Sequence, residues 1–295
     1  LYDLDLRFQN FSSVSDLLSL LSAKPDMVDR FMAEHCDKYS WIEYLNFKAL
    51  PENTKGGIIA SAKVVLGLWR ESHIRKITSS NSFDLRRLRK EKTIIYIETG
   101  IAHLKTYSVL ISLFMDEFTK VVLSKVQDRD DLPLFLISDE AGETYAPYDL
   151  LHTMARKCGL ACYSLFQDYA QWEAMLGRER ARVAISNAYT KCYLNDMPLE
   201  ILKELELVSG KVQIEDENTG RQRVRTVLPQ DYIRTLPQNK AIVLQGGQYP
   251  SIVPTRPYFK SRFYRHRTIS PELRFLSTRN AHAPSMIDYL MDKYK

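Results

Sequence analysis

Residues 134–138, Leu-Phe-Leu-Ile-Ser, form an apolar run that ends in two adjacent carboxylates, Asp139 and Glu140. Such a run, bounded by charge, predicts a buried strand. It also sets an acidic pair at the lip of the core. Residues 160–166 form another apolar run, residues 190–194 suit a short strand, and residues 93–97 (Thr-Ile-Ile-Tyr-Ile) precede them with a β-branched and aromatic stretch. Between these runs the spacing predicts helices over about 104–126, 148–157 and 169–188. Strands alternating with helices require crossover connections, so the expected core is α/β with a mainly parallel sheet and flanking helices.

The flanks read differently. Residues 1–80 lack strand signals and carry helical spacing: Val14, Leu17, Leu18 and Leu21 after serine start signals, then Met27, Phe31 and His35, then Ile58, Ala62, Val65 and Trp69. Past residue 211 the pattern alternates on both sides of an Asn/Gly-rich turn, as in a hairpin. A further strand and a proline-bearing edge segment follow. The last ten residues suit a short helix. The expected division is an all-helical domain at 1–80, an α/β domain at 81–268 ending in a hairpin and edge strand, and a tail at 269–295.

Hydrophobic residues make up 45% and charged residues 26%, a profile that excludes a disordered chain. No apolar run approaches the roughly 20 residues of a membrane helix. The net charge of +5 permits contact with polyanions without arguing for it. Cys158 and Cys162 have C-x3-C spacing but no second pair or nearby histidine to complete a zinc site. They read as buried free thiols, which favours a reducing compartment.

In parallel α/β sheets, ligands bind beyond the carboxyl ends of the strands. An acidic pair there suits a nucleoside triphosphatase. Asp139 would hold Mg²⁺ through water, and Glu140, one step along the turn, would accept a proton from the attacking water. The same dipeptide also occurs as a helix cap. Gln167 follows the next apolar run, where a polar side chain can hydrogen-bond the γ-phosphate; the alternative is a surface glutamine.

The segments "LFLISDEAG" and "MARKCGLACYSLFQDYAQWEAMLG" resemble the TraG/TraD family of type IV secretion coupling proteins. So do "GGIIASAKVVLGLW", "SFDLRRLRKEKTIIYIET" and "LPQDYIRTLPQNKAIVLQGGQYPSIVPTRPYF". The resemblance spans roughly residues 40 to 265 and rests on the order and spacing of the motifs. It implies a RecA-like ATPase using ATP and Mg²⁺, interrupted by an all-helical domain and working as a homo-hexamer. The expected place is the cytoplasmic face of the bacterial inner membrane, where the family carries single- or double-stranded DNA with relaxase or effector cargo to secretion-channel proteins. By resemblance Asp139 takes the metal, Glu140 activates water, Gln167 senses phosphate, and Arg156 reaches the neighbouring subunit's nucleotide.

Two features depart from the family. Ala141 stands where most members have an aromatic residue. No G-x-x-x-x-G-K-[ST] motif occurs, and "NTKGG" is too short and wrongly ordered to serve as one. With Leu1 at its start, the chain is expected to be part of a longer protein whose P-loop and membrane anchor lie upstream, and to be inactive alone. Two other functions share some of these features. A DNA translocase of the FtsK or HerA kind has the same acidic pair and glutamine, but the helical insertion argues against it. A non-catalytic docking scaffold would not need Asp139, Glu140, Arg156 and Gln167 intact.

Positive charge concentrates in "RRLRK", "RVRTVL" and "RPYFKSRFYRHR". The last, residues 256–267, interleaves cations with Tyr258, Phe259, Phe263 and Tyr264. That composition suits single-stranded DNA. The simpler expectation is an edge segment with its aromatic rings packed inward and its arginines solvated.

Overall fold

The computed structural model describes residues 5–81, 83–215, 222–268 and 285–294. Contacts divide the chain into two compact units. One comprises residues 1–85, 105–107 and 274–295; the other comprises 86–104 and 108–273.

The first unit is helical: α1 (Phe11–Ala23), α2 (Pro25–His35), α3 (Lys38–Lys48), α4 (Glu52–Val65) and α5 (Ser72–Ile77). The start of α1 differs from the serine signals. Asn10 is the cap, its side chain accepting from the Ser13 N–H, while Ser12, Ser13 and Ser15 lie buried inside the helix. An Asn side chain satisfies an orphan N–H of the first turn as well as a serine does. Pro25 opens α2, where its missing N–H costs no helix bond. Phe8, Leu20, Val28, Phe31 and Tyr44 form the core.

The last helix of the chain, residues Met286–Lys293, adds to this core. Its Met286 and Leu290 are buried there, and its Met286 N–H donates to Asp16 at 3.1 Å. Asp16 also accepts two bonds from Arg75, at 2.6 and 2.8 Å. Residues 269–284, which open the stretch read as a tail, lie outside the described residues.

The second unit contains α6 (Leu104–Leu123), then β1 (Leu134–Ser138), α7 (Tyr148–Met154), β2 (Leu160–Ser164), α8 (Tyr169–Leu176), α9 (Arg178–Asn187), β3 (Thr190–Tyr193) and α10 (Leu199–Ser209). It continues with β4 (Lys211–Glu215), β5 (Gln222–Thr226), α11 (Gln230–Arg234), β6 (Lys240–Gln245), β7 (Ser251–Pro254) and α12 (Arg262–Arg267). Strands β1 and β2 are parallel, with Ser138 opposite Ser164. The other ladders are antiparallel: β3–β6–β7 as one sheet, and β4–β5 as the expected hairpin. The hairpin turn lies outside the described residues. Ile201, Leu202 and Leu205 of α10 pack with Tyr193, Ile233 and Ile242 into one cluster.

Residues 93–97, expected as a strand, have no regular structure. Ile94 is 75% and Tyr96 81% exposed. β-branched residues favour a strand only where a neighbouring strand takes up their N–H and C=O groups. The described residues offer this segment no such partner.

Within the basic run at 86–90, Arg86, Arg87 and Lys90 are exposed while Arg89 is structural. Arg89 is buried and donates to the carbonyls of Leu132, Cys158 and Gly159, which border the starts of β1 and β2. Lys90 and Lys125 pair with the buried Asp131 at 2.9 and 3.0 Å. Lys90, the largest influence, holds the Asp131 carboxyl far below the usual carboxylate range.

Candidate functional site

Strand β1 delivers Asp139 and Glu140 to its carboxyl end because the parallel register with β2 is closed there. The Leu165 N–H donates to the Ser138 carbonyl at 3.0 Å, and the Ala141 N–H donates to the Leu165 carbonyl at 2.7 Å. The acidic turn and the chain leading to Gln167 are therefore stitched together by backbone bonds on both sides of the dipeptide. Asp139 and Glu140 are exposed. Glu140 has φ +52°, a left-handed conformation that costs an L-residue about 1–2 kcal/mol. Such strain collects where a side chain must be aimed.

Strand β2 stops at Ser164 rather than Phe166, so Gln167 lies three residues beyond its end, in the loop, and it is exposed. Its position is set from both directions. Asp168 caps α8 by accepting from the Ala170 N–H, and the Gln167 N–H donates to Gln171 Oε1 at 3.3 Å. Gln171 in turn rests on the acidic turn. A Cβ at Gly142 would stand 2.5 Å from Gln171 Oε1 and 2.7 Å from its Cβ, so only glycine fits.

Behind the turn lies an aromatic cluster absent from the sequence reading. Buried Trp172 donates its indole N–H to the Ala141 carbonyl at 3.0 Å. Phe166 and Tyr148 stack on it, with centroids at 4.5 and 4.9 Å, and His152 meets it edge-on at 5.7 Å. The cluster fills the space beneath the turn, and Ala141 is fully buried there. His152 also bonds Ser164 at 3.1 Å, and burial lowers its pKa. Asp149 and Arg180 clamp α7 to α9 through two bonds of 2.8 Å, and the guanidinium pulls the Asp149 carboxyl below its ordinary value.

The structure does not bring Arg156 to this cluster. It is exposed in the turn that ends at Gly159 (φ +64°), before β2 begins, with its guanidinium 5.4 Å from the Tyr189 ring centroid. Gln167 follows the other end of the same strand. At about 3.3 Å per residue, β2 holds the two ends of the candidate set well apart. Among the cysteines, Cys158 is buried and Cys162 half-buried; burial pushes the Cys162 thiol up to about 11. Among the described residues, no cluster of three or more histidine, cysteine or acidic residues could hold a metal by itself.

Loops beyond the carboxyl ends of parallel strands are where α/β units bind ligands, and here that position carries an acidic pair. The chain belongs to the family described as Type IV secretory system Conjugative DNA transfer, whose profile matches residues 29–281. Its fold is similar to the plasmid coupling protein TrwB in complex with the GTP analogue GDPNP, with TM-score 0.57, 18% identity, 83% of this chain and 62% of that one covered. The figures are the same for TrwB in complex with ADP and Mg²⁺. TrwB in complex with ADPNP gives TM-score 0.55 and 21% identity over 70% of this chain and 50% of that one. The chain thus spans less than two thirds of the length of these structures. No curated protein matches it in sequence.

Proposed function

We propose that this chain is part of a conjugation coupling ATPase, one that recruits DNA–protein substrates and helps move them to a secretion channel. The observation that carries the proposal is the stitched carboxyl edge. Asp139, the strained Glu140 and the Gln167 loop are fixed to one another in a chain of the conjugative DNA-transfer family. Nucleotides and Mg²⁺ in the TrwB structures support ATP and Mg²⁺ as ligands here.

The residues present suit that metal. Asp139 offers an exposed hard-oxygen donor of the kind Mg²⁺ takes through water. When bound, the ion would offset charge on the transferring phosphoryl group. Glu140 is the base for the attacking water, aimed by its left-handed backbone. Gln167 is the phosphate sensor, tied to the acidic turn through Gln171 and Gly142. Arg156, remote from this set in its own chain, serves a neighbouring subunit's nucleotide. Residues 1–295 contain no P-loop sequence, so the chain by itself should bind ATP weakly and turn over negligibly. No described helix is long and apolar enough to cross a membrane. A homo-hexamer at the cytoplasmic face of the inner membrane, engaging relaxase or effector cargo and channel proteins, completes the proposal.

The division of labour is testable by mixing subunits of the full-length protein. Arg156→Ala and Glu140→Gln hexamers should each be inactive. Mixed hexamers should recover part of the turnover, because a Glu140→Gln subunit still lends Arg156 to a neighbour with an intact base. Mixed assemblies that form, as shown by co-purification, and stay inactive would remove Arg156 from the site.

A further inference from the structure

The segment 256–267 departs most from its sequence expectation. Its aromatic rings do not pack inward. Tyr258 and Phe259 are each 58% exposed, Phe263 57% and Tyr264 55%. Four large exposed rings within twelve residues exceed the single scattered apolar side chains of an ordinary surface.

The charge of this segment is one-sided. It holds Arg256, Lys260, Arg262, Arg265 and Arg267 and no carboxylate. Those five cations equal the net charge of the whole chain, +5, so the remaining residues are neutral in sum. The segment also has internal order. Arg256 donates to the Lys260 carbonyl at 2.6 Å, and a short helical turn (Tyr258–Lys260) leads into α12. The Tyr258–Phe259 and Phe263–Tyr264 rings meet edge-on at 5.7 and 5.2 Å. The Arg267 guanidinium sits 4.1 Å from the Phe263 ring centroid, which leaves cation and ring side by side on one surface.

We propose that residues 256–267 form a binding arm for single-stranded DNA. The argument is chemical. The cations match a phosphate backbone. Exposed rings can stack on bases only when those bases are unpaired, which excludes duplex as the preferred ligand. An acidic protein segment would satisfy the arginines but not four solvent-facing rings. This inference rests on the reading that the protein handles transferred DNA, but it is independent of nucleotide hydrolysis.

Binding of a labelled oligothymidine to the chain, followed by anisotropy without nucleotide, tests it. The same-length duplex and heparin serve as competitors. Oligothymidine should bind more tightly than duplex. Phe259→Ala and Phe263→Ala should each weaken binding roughly 5- to 150-fold for a lost base stack, with Phe259→Tyr restoring it. Replacing Arg262, Arg265 and Arg267 by Gln should flatten the salt dependence by about 0.7 in log–log slope per cation contacting phosphate. Because these side chains are exposed, the thermal unfolding midpoint should not move. Because binding is read without nucleotide, failure of the arm and failure of the ATPase reading are distinguishable. Unchanged affinity in the aromatic variants, or duplex and heparin binding as tightly as oligothymidine, would overturn the proposal and leave a plain cationic patch.

Discussion

At Glu140 two demands compete. The left-handed backbone opposes any side chain with a Cβ, and glycine would relieve about 1–2 kcal/mol of strain. Glycine also loses about 0.5–1 kcal/mol through chain entropy. Glu140→Gly should therefore raise the unfolding free energy slightly, by about 0.5–1 kcal/mol, while removing the proposed base. A drop in stability on chemical denaturation would show that Glu140 is held by contacts rather than strained. Trp172→Phe keeps the stack on Phe166 but strands the Ala141 carbonyl, and it should cost about 1–3 kcal/mol. His152 gives a pH signature. Its folded pKa lies below the ordinary imidazole value of about 6.5, so in the window between them the unfolded chain binds more protons. Stability should fall as pH drops below about 6.5 and level off beneath the folded pKa. His152→Gln should flatten that part of a denaturation-versus-pH curve. The acidic pair was legible because it directly follows an apolar run, which is a local signal. Trp172, Gln171 and Gly142 were not, because their importance comes from what the register places beside them.

Individual elements depend on partners distant in sequence. The Met286–Lys293 helix was visible in its spacing, but its place was not. It docks through Leu290 and through Asp16, a buried carboxylate inside α1 that also binds Arg75. Asp16→Ala would leave Arg75 and the Met286 N–H without their acceptor, and should destabilise the helical unit by about 3–5 kcal/mol. Urea unfolding followed at the helical signal would read this, and a loss below 1 kcal/mol would make the clamp ornamental. The same dependence on partners explains what sequence could not settle. Residues 93–97 have strand propensity and, among the described residues, no strand beside them. The RRLRK run reads as a surface cation patch, yet Arg89 lies buried against three carbonyls. In 256–267 the error ran the other way, because composition cannot say whether a ring faces core or solvent. The strand at 134–138, the existence of the one starting at Leu160 and the hairpin were legible, since apolar runs and turn residues are local signals.

For the whole molecule, we propose that one sheet edge carries nucleotide chemistry while a separate arm carries DNA. Fold similarity at 18% identity supports the frame, and the chemistry rests on the acidic pair. Steady-state ATP turnover by the full-length protein, measured together with Mg²⁺-ATP affinity for Glu140→Gln and Asp139→Asn, tests it most directly. Glu140→Gln should leave Mg²⁺-ATP affinity nearly intact and cut turnover by roughly the 10²–10⁴-fold expected for a lost general base. Asp139→Asn should instead weaken the Mg²⁺-dependent part of binding, since the metal loses its carboxylate. Parent-level turnover in Glu140→Gln would contradict the account and reduce the acidic pair to a turn at the end of a strand.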